Sequence, residues 1–432
     1  MGRRKRCAGR SRGREAGCPA FGALFVIRSR PARILTLIDR WHYGGEENRI
    51  LQLARSVDRS RYDITIATLC SDDSEFDQRY GSIREEYTAA GLSVLELGVK
   101  RTTKGLGLNH PFRHVRRVTM LKEAVRRIVD RVRGQSFDLV DGHGPSGYLC
   151  GTLAAGICRI PSVLTTYIAR EDWSPRMVWF VAHQLTLASV SAIVTDSDYV
   201  ANRLRKWMLL NRKPRLFVIP NGPPPPQPVR SALAVRQELK LPPKGAGRVI
   251  GHIATLVPGK GQNVLIDAAA EVLRTNPDVF FLIVGFERGD SLGYAGELRA
   301  RAARLGISER VMVTPYQGPI GDIWQIIDIH AHPSMLDSLP NAVLEGMSLG
   351  KPAVVTATGG IPTMVVNGRT GIVVEPGDAG AMAAGLNALL GDPKLSRRLS
   401  AAARARYLEC YNEKLLAERM QHVFDTLLEN RK

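Results

Sequence analysis

The chain has 432 residues, 44% of them apolar, enough for two or three domains with substantial cores. Its formal net charge is +19, but residues 1–30 hold nine Lys/Arg against one acid, Glu15, and so carry eight of those nineteen charges. That distribution argues against a basic nucleic-acid groove in the folded part. The six cysteines include no Cys-x-x-Cys pair and point to reduced thiols rather than a disulfide framework or a zinc site.

The opening stretch MGRRKRCAGRSRGREAG is rich in Arg and Gly and lacks apolar periodicity, so disorder is expected; a dispensable tail is the first reading, beside a nucleic-acid or membrane-surface arm and a leader from an over-long start. Phe21–Ile27 is an apolar run of seven, far below the roughly 20 residues of a spanning helix. No small-residue cleavage site follows it, so it does not read as a signal peptide. No other stretch approaches a transmembrane segment, so a soluble cytoplasmic protein is expected, with room for a peripheral place on the inner face of the cytoplasmic membrane.

From Arg33 the elements alternate. Arg33–Ile38 is a buried strand leading into the loop Asp39–Gly45, and Glu46–Asp58 is helical by the spacing of Ile50, Leu51, Leu53, Ala54 and Val57. Tyr62–Leu69 is a strand, Glu85–Ala90 a helix, Leu92–Leu97 a strand and Arg113–Arg133 a long helix. Phe112–Arg133 carries eight Lys/Arg against Glu123 and Asp130, with Phe112, Val115, Val118, Leu121, Val125, Ile128 and Val132 at helical spacing. Packing of that stripe on a sheet is expected, with Arg116, Arg117 and Arg127 turned outward to solvent or to an anionic membrane surface. Short apolar strands follow at Asp138–Asp141, Ser162–Thr166 and Ala192–Thr195, and Phe217–Pro220 leads into the turn Asn221-Gly222.

Pro223–Pro226, Gln227 and Pro228 form a stiff polyproline connection. The alternation then restarts: strands at Val249–Ala254, Val279–Val284, Val311–Thr314, Ile329–Ala331 and Ala353–Thr356, helices at Gln262–Leu273, Leu292–Leu305 and Ile323–Ile326. Two doubly wound, parallel-sheet α/β units facing one another across a cleft are expected. The expected division is a tail over 1–30, a Rossmann-like domain over 31–222, a proline-rich linker over 223–247, a second Rossmann-like domain over 248–400 and a closing helix or helix pair over 401–432.

The chemistry concentrates between His332 and Gly360. Asp337 stands in a loop, Pro340 suits a first helical turn because it lacks an N–H, and Glu345 lies about a turn inside a helix over Ala342–Leu349. Gly350 and Pro352 end that helix, and a buried strand opens into Gly359-Gly360. A helix N-terminus favours an anion, so the two acids bracket a place for a sugar phosphate. Upstream, Thr255–Gly261 follows a strand, with Lys260 as a point charge, but lacks the spacing of a Walker loop, and no dinucleotide Gly-x-Gly-x-x-Gly follows a strand. No Asp-x-Asp metal motif stands at a strand end.

Together these residues resemble the retaining glycosyltransferases of family 4 (glycosyl transferases group 1), which have the GT-B architecture of two facing Rossmann-like domains. The resemblance spans roughly residues 33–428. It is most specific at Pro333-Ser334, Asp337-Ser338-Leu339-Pro340-Asn341, Glu345-Gly346-Met347, Gly350-Lys351-Pro352, Gly359-Gly360, Asn367-Gly368 and Pro376-Gly377-Asp378. Gly44-Gly45, Val218–Gly222 and Val284-Gly285 support it. It implies a hexosyltransferase that moves a hexose from a nucleoside diphosphate sugar to a glycan or lipid-linked acceptor in polysaccharide or glycolipid biosynthesis. Retention of configuration without a metal, another cofactor or a nucleic-acid partner is implied as well.

Carried over by motif, Glu345 would take the ribose hydroxyls and Asp337 a hydroxyl of the hexose. Backbone amides within Ser338, Leu339, Pro340 and Asn341 would hold hexose and diphosphate, with Thr255 and Gly285 beside the donor and Lys260 neutralising the phosphate. The Gly44-Gly45 loop and Tyr167 would face donor phosphate and acceptor from the other domain. Three positions depart from the family pattern: Asp337 stands for the usual Glu, Thr255 for an Arg, and Tyr167 for a His. His42 and His143, near strand ends, have two readings: ordinary loop residues, which is the expected one, or imidazoles that compensate for the charge a Tyr cannot carry. The alternatives within this fold are a nucleotide-sugar epimerase, or a catalytically degenerate member that binds polyanions or membranes.

Overall fold

The computed structural model describes residues 29–41, 44–70, 82–100, 113–167, 177–208, 214–287, 291–316 and 318–429. The basic tail before residue 29, His42 and the side chains of Arg116 and Arg117, all named above, lie outside the described residues.

The first sheet comprises β1 (Ala32–Ile38), β2 (Tyr62–Thr68), β3 (Ser93–Glu96), β4 (Leu139–His143), β5 (Ser162–Thr166), β6 (Ala192–Thr195) and β7 (Arg215–Val218), in the order β3-β2-β1-β4-β5-β6-β7. The second comprises β8 (Val249–Ile253), β9 (Phe280–Val284), β10 (Val311–Thr314), β11 (Ile329–His332), β12 (Ala353–Thr356) and β13 (Ile372–Val374), in the order β10-β9-β8-β11-β12-β13. The paired strands run parallel throughout. Strand order reverses between β1 and β4 in one sheet and between β8 and β11 in the other. Ligands of open parallel sheets bind outside the carboxyl ends of strands at such a reversal.

Each sheet is covered on both faces, as near-continuous apolar strands require. Along β1, Ile34 and Ile38 pack with Ile50 and Leu53 of the helix Gly45–Ser56, while Leu35 and Leu37 pack with Ile128 and Val132 of the helix Arg113–Gln135. The period of two sends alternate side chains to opposite layers. On the long helix the expected stripe is corrected in part: Ala124, Ile128, Val129 and Val132 are buried, whereas Val118 is exposed. Arg127, expected outward, donates from Nε to Glu123 Oε1 at 2.5 Å and from Nη1 to the Leu97 carbonyl at 2.6 Å. Among the described residues no helix is long and apolar enough to cross a membrane.

The linker is shorter than expected. Residues 232–241 include the helix Ala232–Glu238, and Val235, Leu239 and Leu241 pack with Leu282, Trp324 and Ile327 of the second domain. Ser231 caps that helix by accepting from the Ala234 amide at 3.2 Å. The boundary expected at 400/401 falls inside the helix Pro393–Cys410, whose Ala403 and Tyr407 pack with Leu344 and Met347. The following helix Glu413–Glu429 returns to the first sheet, where Leu416, Met420 and Phe424 join the cluster of Ile34 and Ile64. Helices over Gly144–Cys158, Met177–Ser189, Asp198–Trp207 and Ala379–Gly391 were not anticipated. The first has apolar residues on several faces and so lacks a helical stripe.

Candidate active site

The carboxyl ends of the two sheets face each other across a cleft of about 420 Å³. Gly44, Gly45, Glu46, Tyr167, Asp196 and Asn221 line it from the first domain. Thr255, Lys260, His332, Asp337 and the stretch Ser338–Ala342 line it from the second. Other cavities, of about 310 and 340 Å³, open at the amino ends of β9–β10 and of β1–β3, away from the carboxyl ends where ligands of such sheets bind.

Two glycines make the second domain's cleft loops possible. Gly359 has φ +55°, and a Cβ there would stand 1.6 Å from the Asp337 carbonyl oxygen. Gly261 has φ +70°, and a Cβ there would stand 2.0 Å from that of Pro333. Only glycine adopts such a conformation and leaves such space. The amides of Met335 and Leu336 bond the Gly259 carbonyl at 2.9 and 3.2 Å, and the Gly360 amide bonds that of Ser338 at 2.7 Å. The loops bearing Lys260 and Asp337 are thereby stitched together.

Lys260 Nζ lies 2.6 Å from Asp337 Oδ2, which also meets His332 Nε2 and Ser334 Oγ, each at 3.2 Å. Burial pushes the Asp337 carboxyl up, but His332 and Lys260 outweigh it and hold the group well below the usual carboxylate range. Lys260 is therefore a paired ammonium rather than the free point charge expected from sequence. Gly285 and Glu345 lie outside the walls of the cleft. A Cβ at Gly285 would stand 1.7 Å from the Ala254 carbonyl oxygen, so this glycine serves close strand packing. The helix carrying Glu345 runs Asn341–Ser348 with Pro340 as its N-cap, one position earlier than expected. Glu345 accepts from Trp324 Nε1 at 2.9 Å; burial pushes its carboxyl up, and the indole bond partly offsets this.

Beneath these acids lie three buried imidazoles. The rings of His252 and His330 lie 5.5 and 5.6 Å from that of His332, and the Trp324 ring lies 5.0 Å from His330. Burial, with His332 adding to it, drives His252 down to about 3 and His330 well below the usual range, so both are neutral. Among the described residues no group of three or more His, Cys, Asp or Glu is placed to hold a metal ion.

The first domain contributes a polar cluster of which sequence reasoning singled out only His143 and Tyr167. His143 is the last residue of β4, not a loop residue, and it is 2% exposed. Its Nε2 lies 3.1 Å from Asp141 Oδ2 and its Nδ1 lies 3.2 Å from the Tyr167 hydroxyl. Asp141 Oδ1 accepts from Thr165 Oγ1 at 2.8 Å, and Glu46 Oε1 lies 3.6 Å from His143 Nδ1. The Arg49 guanidinium lies 5.0 Å from the centre of the Tyr167 ring. The available signal was the alternation in Asp141-Gly142-His143, which puts both side chains on one face of a strand end.

Hydrogen bonds cross the cleft. Ser338 Oγ donates to Asp196 Oδ2 at 2.7 Å, and Asn221 Nδ2 donates to Asn341 Oδ1 at 2.9 Å, with Arg49 Nη1 donating to Asn221 Oδ1 at 3.1 Å. Burial raises the Asp196 carboxyl to about 6 against the pull of Ser338 and Arg49.

Two facing, doubly wound domains with a glycine-shaped cleft between their carboxyl ends define the GT-B class. The family model for glycosyl transferases group 1 matches residues 236–406, and that for the glycosyl transferase 4-like domain matches residues 44–222. The chain belongs to this glycosyltransferase family, in its family 4 branch. The D-inositol 3-phosphate glycosyltransferase of Nocardia farcinica is 30% identical over 282 residues, and that of Streptomyces avermitilis 32% identical over 196. The matches span 62% of this chain and of the first relative, and 43% and 40% of this chain and the second. Anabaena HepE, solved in complex with UDP-glucose, superposes with a TM-score of 0.74 at 21% identity, over 91% of this chain and all of that one. A glycosyltransferase from Rickettsia africae superposes with a TM-score of 0.73 at 17% identity, over 93% and 99%.

Proposed function

We propose that the chain transfers a hexosyl group from a nucleoside diphosphate sugar, held on the second domain, to a hydroxyl of an acceptor entering from the first. The observation that carries this is the cleft itself. The N-terminus of the helix Asn341–Ser348, with Lys260 beside it, opens onto the same volume as Tyr167 and the Gly44-Gly45 end of the facing helix. The first amides of a helix have no earlier carbonyl to bond and receive an anion. Departure of a nucleoside diphosphate builds negative charge, which those donors and Lys260 stabilise from fixed positions. That chemistry needs no metal, and retention of configuration accompanies the family pattern.

In this reading Asp337 takes a hexose hydroxyl, and Glu345, inside the helix whose N-terminus opens onto the cleft, takes the ribose. A glycan or lipid-linked acceptor, with the basic first domain against an anionic membrane, follows from the resemblance. A polyol phosphate acceptor is the second reading, favoured by the names of the relatives that are 30–33% identical.

A panel of nucleoside diphosphate hexoses, with and without chelator and with either acceptor type, tests this by release of nucleoside diphosphate. Release that persists with chelator is expected. A folded protein that releases nothing and binds no donor overturns the transferase, and release abolished by chelator overturns the metal-free site. Glu345→Ala is expected to weaken donor binding by about tenfold or more, as loss of a charged hydrogen-bonding partner does; unchanged affinity removes Glu345 from the ribose.

A further inference from the structure

We infer that Asp141 and His143 are a positioning pair that fixes the Tyr167 hydroxyl as a hydrogen-bond donor to an oxygen of the transferred sugar. This rests on the donor site proposed above and assigns a role to a cluster that the carried-over motifs leave unused. Tyr167 lines the cleft, and its hydroxyl meets His143 Nδ1 at 3.2 Å. The other imidazole nitrogen meets Asp141 Oδ2 at 3.1 Å, and Thr165 holds the second oxygen of that carboxylate at 2.8 Å. The ring is thus oriented from behind by a carboxylate that is itself held.

The charge of the ring sets the direction of the next bond. Burial lowers the His143 imidazole, but Asp141 and Glu46 outweigh burial and carry it up to about 9. The groups facing it are Asp141 on β4, Glu46 on the helix Gly45–Ser56 and Tyr167 after β5; Arg49 and Asp196 act on Tyr167 in turn. An imidazolium donates from both nitrogens. Tyr167 therefore accepts from Nδ1, and its own proton is left for the cleft. Above pH about 9 the ring keeps its proton on Nε2 against Asp141, and Nδ1 becomes an acceptor. The Tyr167 proton then turns to the ring, and the cleft meets an oxygen lone pair instead. The positive charge that Tyr167 cannot carry is held behind it, on His143 at the end of β4.

Two measurements test this. In protein with ¹⁵N-labelled histidine and no ligand, the His143 imidazole is expected to stay protonated at pH 7 and to titrate near pH 9, and Asp141→Asn is expected to lower that value. A neutral His143 at pH 7 overturns the pair. The second compares the affinity of the hexose donor with that of its bare nucleoside diphosphate in Tyr167→Phe, His143→Gln and the double variant. Each single change is expected to weaken the nucleotide sugar about tenfold and to leave the bare nucleotide unchanged. The double variant is expected to lose no more than either single one, because both remove the same bond. In the unaltered protein the advantage of the sugar over the bare nucleotide is expected to fall above pH about 9. Losses that multiply in the double variant, or that fall equally on the bare nucleotide, overturn the inference. Asp141→Asn, which keeps the side-chain shape, replaces His143→Gln if that variant does not fold. A protein that binds no nucleoside diphosphate hexose defeats the donor site, while the imidazole titration, which needs no donor, still decides the pair.

Discussion

Lys260 and Asp337 illustrate how much a residue's role depends on its neighbour. Each was legible from its motif, yet their 2.6 Å contact makes them one unit, and His332 and Ser334 tie that unit to the sheet. Lys260→Ala would leave the Asp337 carboxylate beside the place proposed for the diphosphate, adding repulsion to the loss of a cation. A drop in kcat/KM of about 10²–10³ is expected, with Lys260→Ala/Asp337→Asn recovering part of it. Steady-state kinetics of the two variants checks this, and a double variant no better than the single one refutes the coupling. The one-methylene difference between Asp337 and the family's Glu acquires a physical context here: the shorter carboxylate is drawn back onto Lys260 and His332. Nothing local in the sequence announces such a pairing, because the partners stand 77 residues apart.

At the scale of elements, a buried carboxylate ties down the linker around Val229 and Arg230. Asp322, in the short helix Ile320–Trp324, accepts from the amides of Val229 and Arg230 at 2.7 and 3.0 Å, from Arg230 Nε at 2.8 Å and from the Tyr316 hydroxyl at 3.0 Å. Burial opposes its ionisation, but Arg230 and the two amides outweigh burial and hold the group well below the usual carboxylate range. Its contribution to stability is present above the unfolded carboxylate value near 3.9 and is lost as pH falls through the lower folded value. Asp322→Ala strips four donors of their acceptor and is expected to cost about 3 kcal/mol in denaturant unfolding at pH 7; a loss below about 1 kcal/mol would show that water replaces the carboxylate. The periodicities that predict strands and amphipathic helices located most elements to within two residues of their ends. Residues 232–241 were misassigned because the prolines before them dominate local composition, while burial of Val235 and Leu239 depends on a surface the second sheet supplies.

At the scale of the whole molecule, the two domains meet through polar contacts at the mouth of the cleft and through the helix Glu413–Glu429 docked on the first sheet. The Asp196–Ser338 bond places a buried carboxylate between the domains, with its value raised to about 6. A carboxyl whose folded value lies above its unfolded one binds protons more readily when folded, so it destabilises the fold increasingly as pH rises from about 4 to 6. Asp196→Asn removes that charge while keeping the shape. It is expected to raise Tm at pH 7 by about 2–4 °C and to flatten the dependence of Tm on pH between about 4 and 6. Scanning calorimetry across that range checks it, and an unchanged pH profile would show that Asp196 is not the titrating group. The same substitution tests the closed arrangement, because a neutral amide still reaches Ser338 but no longer draws on Arg49.

The sequence by itself determined that there are two parallel-sheet domains, which family they belong to, and which loops of the second domain line the cleft. Alternating periodicity and glycine- and proline-marked turns are local properties, and local properties survive in a linear string. Only the tertiary structure decided that Lys260 is paired, that Glu345 leans on Trp324 outside the cleft walls, and that His143 stands behind Tyr167. Each of these is a contact between strand ends or helices distant in sequence, and its energy depends on burial that no single segment possesses alone. The Tyr at position 167 looked like a lost cation in the sequence. In the fold an imidazole, His143 at the end of β4, stands one hydrogen bond behind it.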